Sequence, residues 1–410
     1  MLKMFQQYKG LRKENYILFV GRIVTNLGSM VWPVLTLILN QKLGMNATTV
    51  AIVMIVAGVI QMPLGLLGGR LADTHNKKNI IVLFDAISII FYIICALIPL
   101  SYITIGLMLI AATCQSMENP AYTALIADLT LTKDRERAYS LSYLGSNIGL
   151  VASPTIAGIL FNHHLWLAFL ISGIAIAIST VLIFFFIQDI TPMKEEDSSA
   201  SAYQNIRDDA SMISILKENK VVLLYVVIMA LYWGAYGQYG YLMPLDMARV
   251  HGESGAVIYG SVSSLNCIIV VIFTPILTHL FMKLCATKKN LVGVVTLLVG
   301  YVIFLVGLGF IPSYYIAITL FTFGEILTTI VSGPYLTERT PASHRGRING
   351  VMTVIQTIIG NATMLAVGVF YDHSGSVAAW IFVFVLLGIS LIGSIALIGL
   401  DRRRYKKLYE

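Results

Sequence analysis

Charge is what this sequence has least of. Its 410 residues include 28 basic and 21 acidic side chains, 12% of the total, against 57% hydrophobic residues. Soluble chains carry roughly 25% charged residues, so an ordinary soluble protein is excluded and most of the length belongs in lipid. Cysteine is scarce too. Cys95, Cys114, Cys267 and Cys285 sit in or beside apolar runs, with no CxxC pair and no even extracellular set. That excludes a disulfide or zinc framework, and the four read as small apolar residues. His163 and His164 are adjacent and the other five histidines are scattered, no Walker lysine loop is present, and the loops are too short to hold a catalytic cluster. These absences exclude direct ATP drive and a membrane-embedded enzyme, and no metal or organic cofactor is expected. The basic start MLKMFQQYKGLRKEN runs into an apolar stretch without a small-residue cleavage site, so no removed signal peptide is expected.

What is present is a long series of apolar runs. A spanning helix needs about 20 apolar residues, and twelve such spans are expected at 16–40, 48–70, 79–100, 103–127, 140–161, 165–187, 221–244, 256–280, 289–311, 314–336, 347–370 and 376–400. Residues 188–220 are polar, Ser-rich and charged, and read as a linker with a short amphipathic helix near Met212 to Leu216. It divides the chain into an N-terminal six-helix bundle over 1–187 and a C-terminal one over 221–410.

Lys and Arg set the orientation. With both termini cytoplasmic, 25 of the 28 basic residues fall on the cytoplasmic side; Lys42 and Arg249 face outside and Arg22 lies within a span. The net charge of +7 then reflects topology and anionic headgroups. Because the basic residues are spread over short loops and form no single face, nucleic acid is excluded as a partner. The halves echo each other: Arg135 and Arg137 before span five match Arg345 and Arg347 before span eleven, and Pro120 and Pro334 stand at similar places. Repeated halves of this kind place a substrate site near mid-membrane.

The loop after span two reads Gly68-Gly69-Arg70-Leu71-Ala72-Asp73-Thr74-His75-Asn76-Lys77-Lys78. A small residue lets helices approach closely, a carboxylate at a helix end can meet a neighbouring helix N-terminus, and the Lys pair holds the loop in the cytoplasm. This loop resembles the signature G-x-L-a-D-r-x-G-r-k of the major facilitator superfamily, matching at Gly69, Leu71, Ala72, Asp73, Lys77 and Lys78. Thr74 replaces the usual arginine and Asn76 the usual glycine, a position where Asn tolerates left-handed backbone. The resemblance implies an all-α integral membrane fold of twelve helices in two bundles with a central cavity lined by spans one, four, seven and ten.

Span five contains Gly149-Leu150-Val151-Ala152-Ser153-Pro154-Thr155-Ile156-Ala157-Gly158. It resembles the antiporter motif of the drug/proton antiporter branch, keeping Gly149, Pro154 and Gly158, with Ser153 and Ala157 for the other two glycines. Proline frees a backbone carbonyl and bends a helix, while small residues make a close-packing face. The branch's span-four arginine is missing: alignment on Gln115 puts Ala112 there. Asp128, at the end of span four, occurs in relatives paired with the span-two loop, and Lys77 or Arg70 is its expected partner here.

Ionisable residues inside lipid cost about 2.5–3.5 kcal/mol each and mark function. Four stand out: Arg22, Asp85, Glu118 and Glu325. At 1.5 Å per residue, Arg22 lies roughly 9 Å and Glu118 roughly 13 Å inside the cytoplasmic ends of their spans, so the two can form an internal ion pair that opens on proton or substrate binding. Asn26 lies one turn beyond Arg22. Glu325, near the middle of span ten, has no basic residue at its depth and is expected to be the principal proton-coupling or cation-recognition acid. Asp85 lies about six residues into span three, a peripheral helix in this fold, which also fits a structural role. Span seven adds Tyr232, Trp233, Tyr236, Gln238, Tyr239 and Tyr241 among glycines; aromatic rings attract lipophilic cations. Tyr232, Trp233, Tyr236 and Gln238 are assigned to the cavity and Tyr241 to the interfacial belt.

These features predict a monomeric transporter of the cytoplasmic membrane that exports amphipathic, cationic drugs in exchange for protons, with the proton gradient as its energy source. Transport of a lipid, siderophore or other metabolite, in either direction, is the alternative left by the missing arginine.

Overall fold

The computed structural model describes residues 8–187, 220–340 and 345–406. The expected linker, apart from Lys220, lies outside the described residues. The helices are α1 (Lys13–Leu27), α2 (Ala47–Thr74), α3 (Lys77–Leu97), α4 (Tyr102–Asp128), α5 (Thr132–Leu150), α6 (Ser153–Leu160), α7 (Leu165–Phe186), α8 (Lys220–Tyr236), α9 (Leu242–His251), α10 (Gly255–Leu280), α11 (Ala286–Val306), α12 (Ile311–Arg339) and α13 (Arg345–Arg404). No strand occurs among the described residues.

They correspond to the twelve expected spans; among the described residues eight helical stretches are long and apolar enough to cross a membrane, two of them holding two spans each. Span one is α1 plus the short pieces Leu35–Leu37 and Ile38–Lys42, the latter a π-helix. Span five is α5 plus α6, span seven is α8 plus α9, and α13 holds the last two, divided at Gly375, whose φ of 82° leaves the helix. Each break has a local cause. Pro154, at the start of α6, cannot donate to the preceding turn and splits span five. A 3-10 turn at Gly237–Tyr239 parts α8 from α9, so the glycine-rich stretch does bend, and span seven runs past the expected 244 to His251. At Gly28 a Cβ would stand 2.2 Å from the Ala175 Cβ, so only glycine lets α1 end against α7.

The caps satisfy the free N–H groups that open each helix. Ser101 and Thr104 form a capping box on α4. Asn76 accepts from the Asn79 N–H at 3.3 Å and starts α3. Its φ is −64°, which corrects the expectation of left-handed backbone: the residue replacing the motif's glycine acts as a cap. At the start of α2 the cap is remote, with the Asp372 carboxylate accepting from the N–H groups of Ala47 (2.9 Å) and Thr48 (2.7 Å).

The described residues group into two compact units. The first holds 8–45, 53–187 and 252–271; the second holds 46–52, 220–251, 272–340 and 345–406. In the first, α3 packs on α4 and α7, and α1 on α5 and α7; in the second, α11 packs on α12, and α8 on α13.

Glycine sets the closest approaches in the first unit. A Cβ on Gly149 would stand 2.4 Å from the Ile23 carbonyl oxygen, and one on Gly158 2.5 Å from that of Ala256, so two kept positions of the antiporter-like motif are contact points. In the span-two loop motif the tight glycine is Gly68, whose Cβ would lie 2.2 Å from the Met117 carbonyl oxygen; at Gly69 the nearest atom is 3.9 Å away. Gly68→Ala therefore forces α2 away from α4 and is expected to destabilise the protein by about 1–3 kcal/mol. Gly69→Ala, which gains helix propensity, is expected to be neutral or stabilising. Thermal midpoints of the two variants in detergent check this contrast.

Candidate functional site

A cavity of about 420 Å³ lies inside the first unit. Its walls are polar stripes on otherwise apolar helices. α1 contributes Arg22, Thr25 and Asn26, with Ser29 just beyond its end; α4 contributes Gln115, Glu118, Asn119 and Tyr122. Both sets follow i, i+3, i+4, i+7, one face of a helix. Asp85 and Tyr92 on α3, Ser172 and Ser179 on α7, and Gln61 on α2 complete the lining.

Three of the four expected intramembrane charges thus share one chamber: Arg22, Asp85 and Glu118. Asp85 and Glu118 are 6% and 7% exposed, and Arg22 is the single basic residue of the lining. The expected direct Arg22–Glu118 pair is absent among the described contacts. The Arg22 Nη2 donates instead to the Asn119 Oδ1 at 2.7 Å, and the guanidinium lies 3.9 Å from the centre of the Tyr122 ring. The Tyr122 hydroxyl donates to the Leu18 carbonyl at 2.6 Å, which fixes that ring. Asn119, one residue from Glu118, presents its amide oxygen to the guanidinium, and a cation over an aromatic face is stabilised further. Arg22 is thereby parked within electrostatic range of both carboxylates. Asn26 lines the same chamber and turns its amide N–H onto the Arg22 carbonyl at 2.9 Å.

Asp85 is tied to α7. The Thr180 hydroxyl lies 2.7 Å from the Asp85 Oδ2 and 2.8 Å from the Ile176 carbonyl oxygen. A hydroxyl has one proton to donate. It serves the carboxylate when Asp85 is ionised; when Asp85 is protonated, the acid donates to Thr180 and Thr180 donates to Ile176. Both protonation states are therefore satisfied without moving a helix.

Glu325 lies in the second unit, half-buried on α12. The Tyr236 hydroxyl is in hydrogen-bond contact with it, and Tyr232 lies in its electrostatic range. Tyr236 stacks on Phe321 at 4.6 Å and meets Trp233 edge-on at 4.8 Å, so three of the expected aromatic residues cluster around this acid. Gln238, in the 3-10 turn, is 1% exposed and its amide donates back to the Gly234 carbonyl near the end of α8 at 3.0 Å. Tyr241 is a correction: it is 1% exposed and its hydroxyl donates to the Ala47 carbonyl, which leaves no ring for the interfacial belt.

In the loop motif, Lys77 Nζ meets the Asp128 carboxylate at 2.7 Å, the expected pair, while Lys78 lies over the Phe184 ring at 5.3 Å and Asp73 is exposed. Tyr92, Asn119 and Thr180 are the residues that reading the charges alone misses. Their signal was the helical spacing of polar residues within apolar runs. Among the described residues no group of His, Cys, Asp or Glu could hold a metal ion.

The sequence model described as Major Facilitator Superfamily matches residues 17–363. The chain is 22% identical over 392 residues to the uncharacterized MFS-type transporter YqjV of Bacillus subtilis (strain 168), covering 95% of this chain and 93% of that protein. It is 21% identical to a Na(+), Li(+), K(+)/H(+) antiporter of Planococcus maritimus, over 80% of this chain and 82% of the relative. Among solved structures, a peptide transporter POT in complex with sulfate superposes with a TM-score of 0.78 at 13% identity, covering 96% of this chain and 95% of the other.

Proposed function

The chain belongs to the major facilitator superfamily, which makes it a multi-pass secondary transporter, and from that premise we propose that it exchanges protons for amphipathic cations across the cell membrane. The observation that carries this reading is the charge inventory of the chamber: two buried carboxylates and one guanidinium. One cation neutralises one anion. A second negative charge held away from water is costly unless it is compensated, so the chamber calls for either a proton or a cationic ligand. Competition between the two for the same carboxylates is the elementary requirement of antiport. A relative matched over 82% of its length is named as a Na(+), Li(+), K(+)/H(+) antiporter, which supports exchange of a cation for protons.

In the proposed cycle a cation enters the deprotonated chamber and is met by Glu118 and Asp85, while Arg22 stays on Asn119 and Tyr122. Protons arriving from the other side neutralise the acids and release the cation; Thr180 accommodates the proton on Asp85 as described. Glu325, with its ring of tyrosines, acts in the second unit as an additional recognition point for positive charge. Residues 1–187 moving against 221–410 provide alternating access, both termini stay cytoplasmic, and the protein acts as a monomer.

Proton release on binding tests the exchange. Purified protein in weakly buffered detergent solution, titrated with benzyltrimethylammonium and followed by a pH dye, is expected to release roughly one proton per bound cation, the number left uncompensated by a single guanidinium. Saturable binding with no release would rule out competition between cation and proton.

A further inference from the structure

Beside the polar chamber lies a second, smaller cavity of about 110 Å³, and the two share Trp32 and Gln61. Its remaining walls are apolar: Leu35 from span one, Val53, Met54, Ala57 and Gly58 from α2, and Ile105 and Leu109 from α4. Trp32 is the partition. Its indole N–H bonds the Tyr92 hydroxyl on the chamber side, which leaves a face of the ring to wall the annex. The whole assembly belongs to the first unit. From this juxtaposition, and resting on the cation-exchange reading above, we infer that the annex is a built subsite for the apolar group of the cargo, sized for one ring, with the cationic head in the chamber.

The volumes set the class of ligand. Ligand pockets of roughly 300–1,000 Å³ hold small molecules, so the chamber alone takes a compact, hydrated cation. The annex, at about 110 Å³, is smaller than the ~150 Å³ engineered apolar cavity that takes up benzene, so it admits at most one phenyl ring or a short alkyl chain. The predicted cargo is a quaternary or protonated amine carrying one such group, its charge facing Asp85 and Glu118 and its apolar part passing Gln61 into the annex. Gly58 lines the annex and is exposed; a Cβ built there meets no atom within 4 Å, so a larger side chain is accommodated at this wall without displacing a neighbour.

That property supplies the test. Binding of benzyltrimethylammonium and of tetramethylammonium to the purified protein is measured by calorimetry with no gradient imposed. The wild type is expected to prefer the benzyl compound by about ten- to a hundredfold, the yield of burying one apolar group of this size. Gly58→Val is expected to bring that ratio close to unity while leaving tetramethylammonium affinity unchanged. Leu109→Ala, which widens the annex from its α4 wall, is expected to raise relative affinity for a naphthylmethyl analogue. Equal binding of both cations by the wild type, or a preference that Gly58→Val does not change, overturns the annex and leaves the cation chamber standing. Failure of the wild type to bind either cation overturns the annex together with the cation-exchange reading.

Discussion

Glu118→Gln proteoliposomes are expected to lose the concentrative step altogether. One pH unit corresponds to about 1.36 kcal/mol, or tenfold in concentration for one-for-one exchange of a proton and a monovalent cation. The wild type under such a gradient should hold a roughly tenfold cation gradient, and the variant a ratio near one. Gln preserves volume and hydrogen-bonding capacity at a position 7% exposed, so the fold should survive and only the exchangeable proton is lost. Asp85→Asn should behave alike, because its amide can still accept from Thr180 but carries no titratable charge. Glu325→Gln is the instructive contrast: with the coupling acids in the chamber, it should weaken cation affinity and leave the proton-driven ratio intact. Loss of the gradient in Glu325→Gln, with retention in Glu118→Gln, would move the coupling to the second unit.

The largest expected effect on stability lies elsewhere, at the end of α13. Asp401 is fully buried and receives two parallel bonds from Arg339, Nε to Oδ1 and Nη2 to Oδ2, each 2.8 Å, and a third from the Tyr335 hydroxyl at 2.8 Å. The guanidinium also lies 4.0 Å from the Tyr335 ring centre, and Tyr225 stacks on that ring at 3.9 Å. The network joins α8, α12 and α13. Asp401→Ala leaves the buried guanidinium to the half-exposed Glu338 at 3.0 Å and the Tyr335 carbonyl, a change that costs up to about 3–5 kcal/mol, whereas replacing both partners with apolar residues is often neutral. The thermal midpoint of Asp401→Ala should therefore fall well below that of the Arg339→Met/Asp401→Leu double variant. Equal midpoints would mean the pair is not desolvated.

Much of this architecture is legible in the sequence because lipid is an unforgiving solvent. Apolar runs of the right length must become helices, and the twelve expected spans correspond to those observed, within a few residues at most ends. Span one is broken at Gly28 and Pro33, and α4 carries Gln115, Glu118 and Asn119 within its apolar run. These interruptions mark the chamber. What single residues do not reveal is helix rotation. Asp85 sits on a span read as peripheral, yet its face of α3 turns toward Arg22 and Glu118. Gly68 and Gly69 differ by one helical step of about 100°, and only Gly68 faces α4. Tyr241 has the composition of a belt residue, and its burial follows from the 3-10 turn that redirects the chain before α9. Depth along the helices brings Arg22 level with Glu118, but depth alone does not choose between Glu118 and the adjacent Asn119. A count of polar residues at i, i+3, i+4 and i+7 within each apolar run recovers most of the lining.

The central claim is that an imposed proton gradient moves an amphipathic cation through this protein. The direct measurement is benzyltrimethylammonium accumulation in proteoliposomes of the wild-type chain, with an inside-acid gradient, with no gradient, and with the gradient collapsed by a protonophore. Accumulation that appears only with the gradient, vanishes with the protonophore and is absent in Glu118→Gln is the predicted result. Accumulation that is indifferent to pH, or absent while the same protein moves an anionic or zwitterionic solute under the gradient, would contradict it.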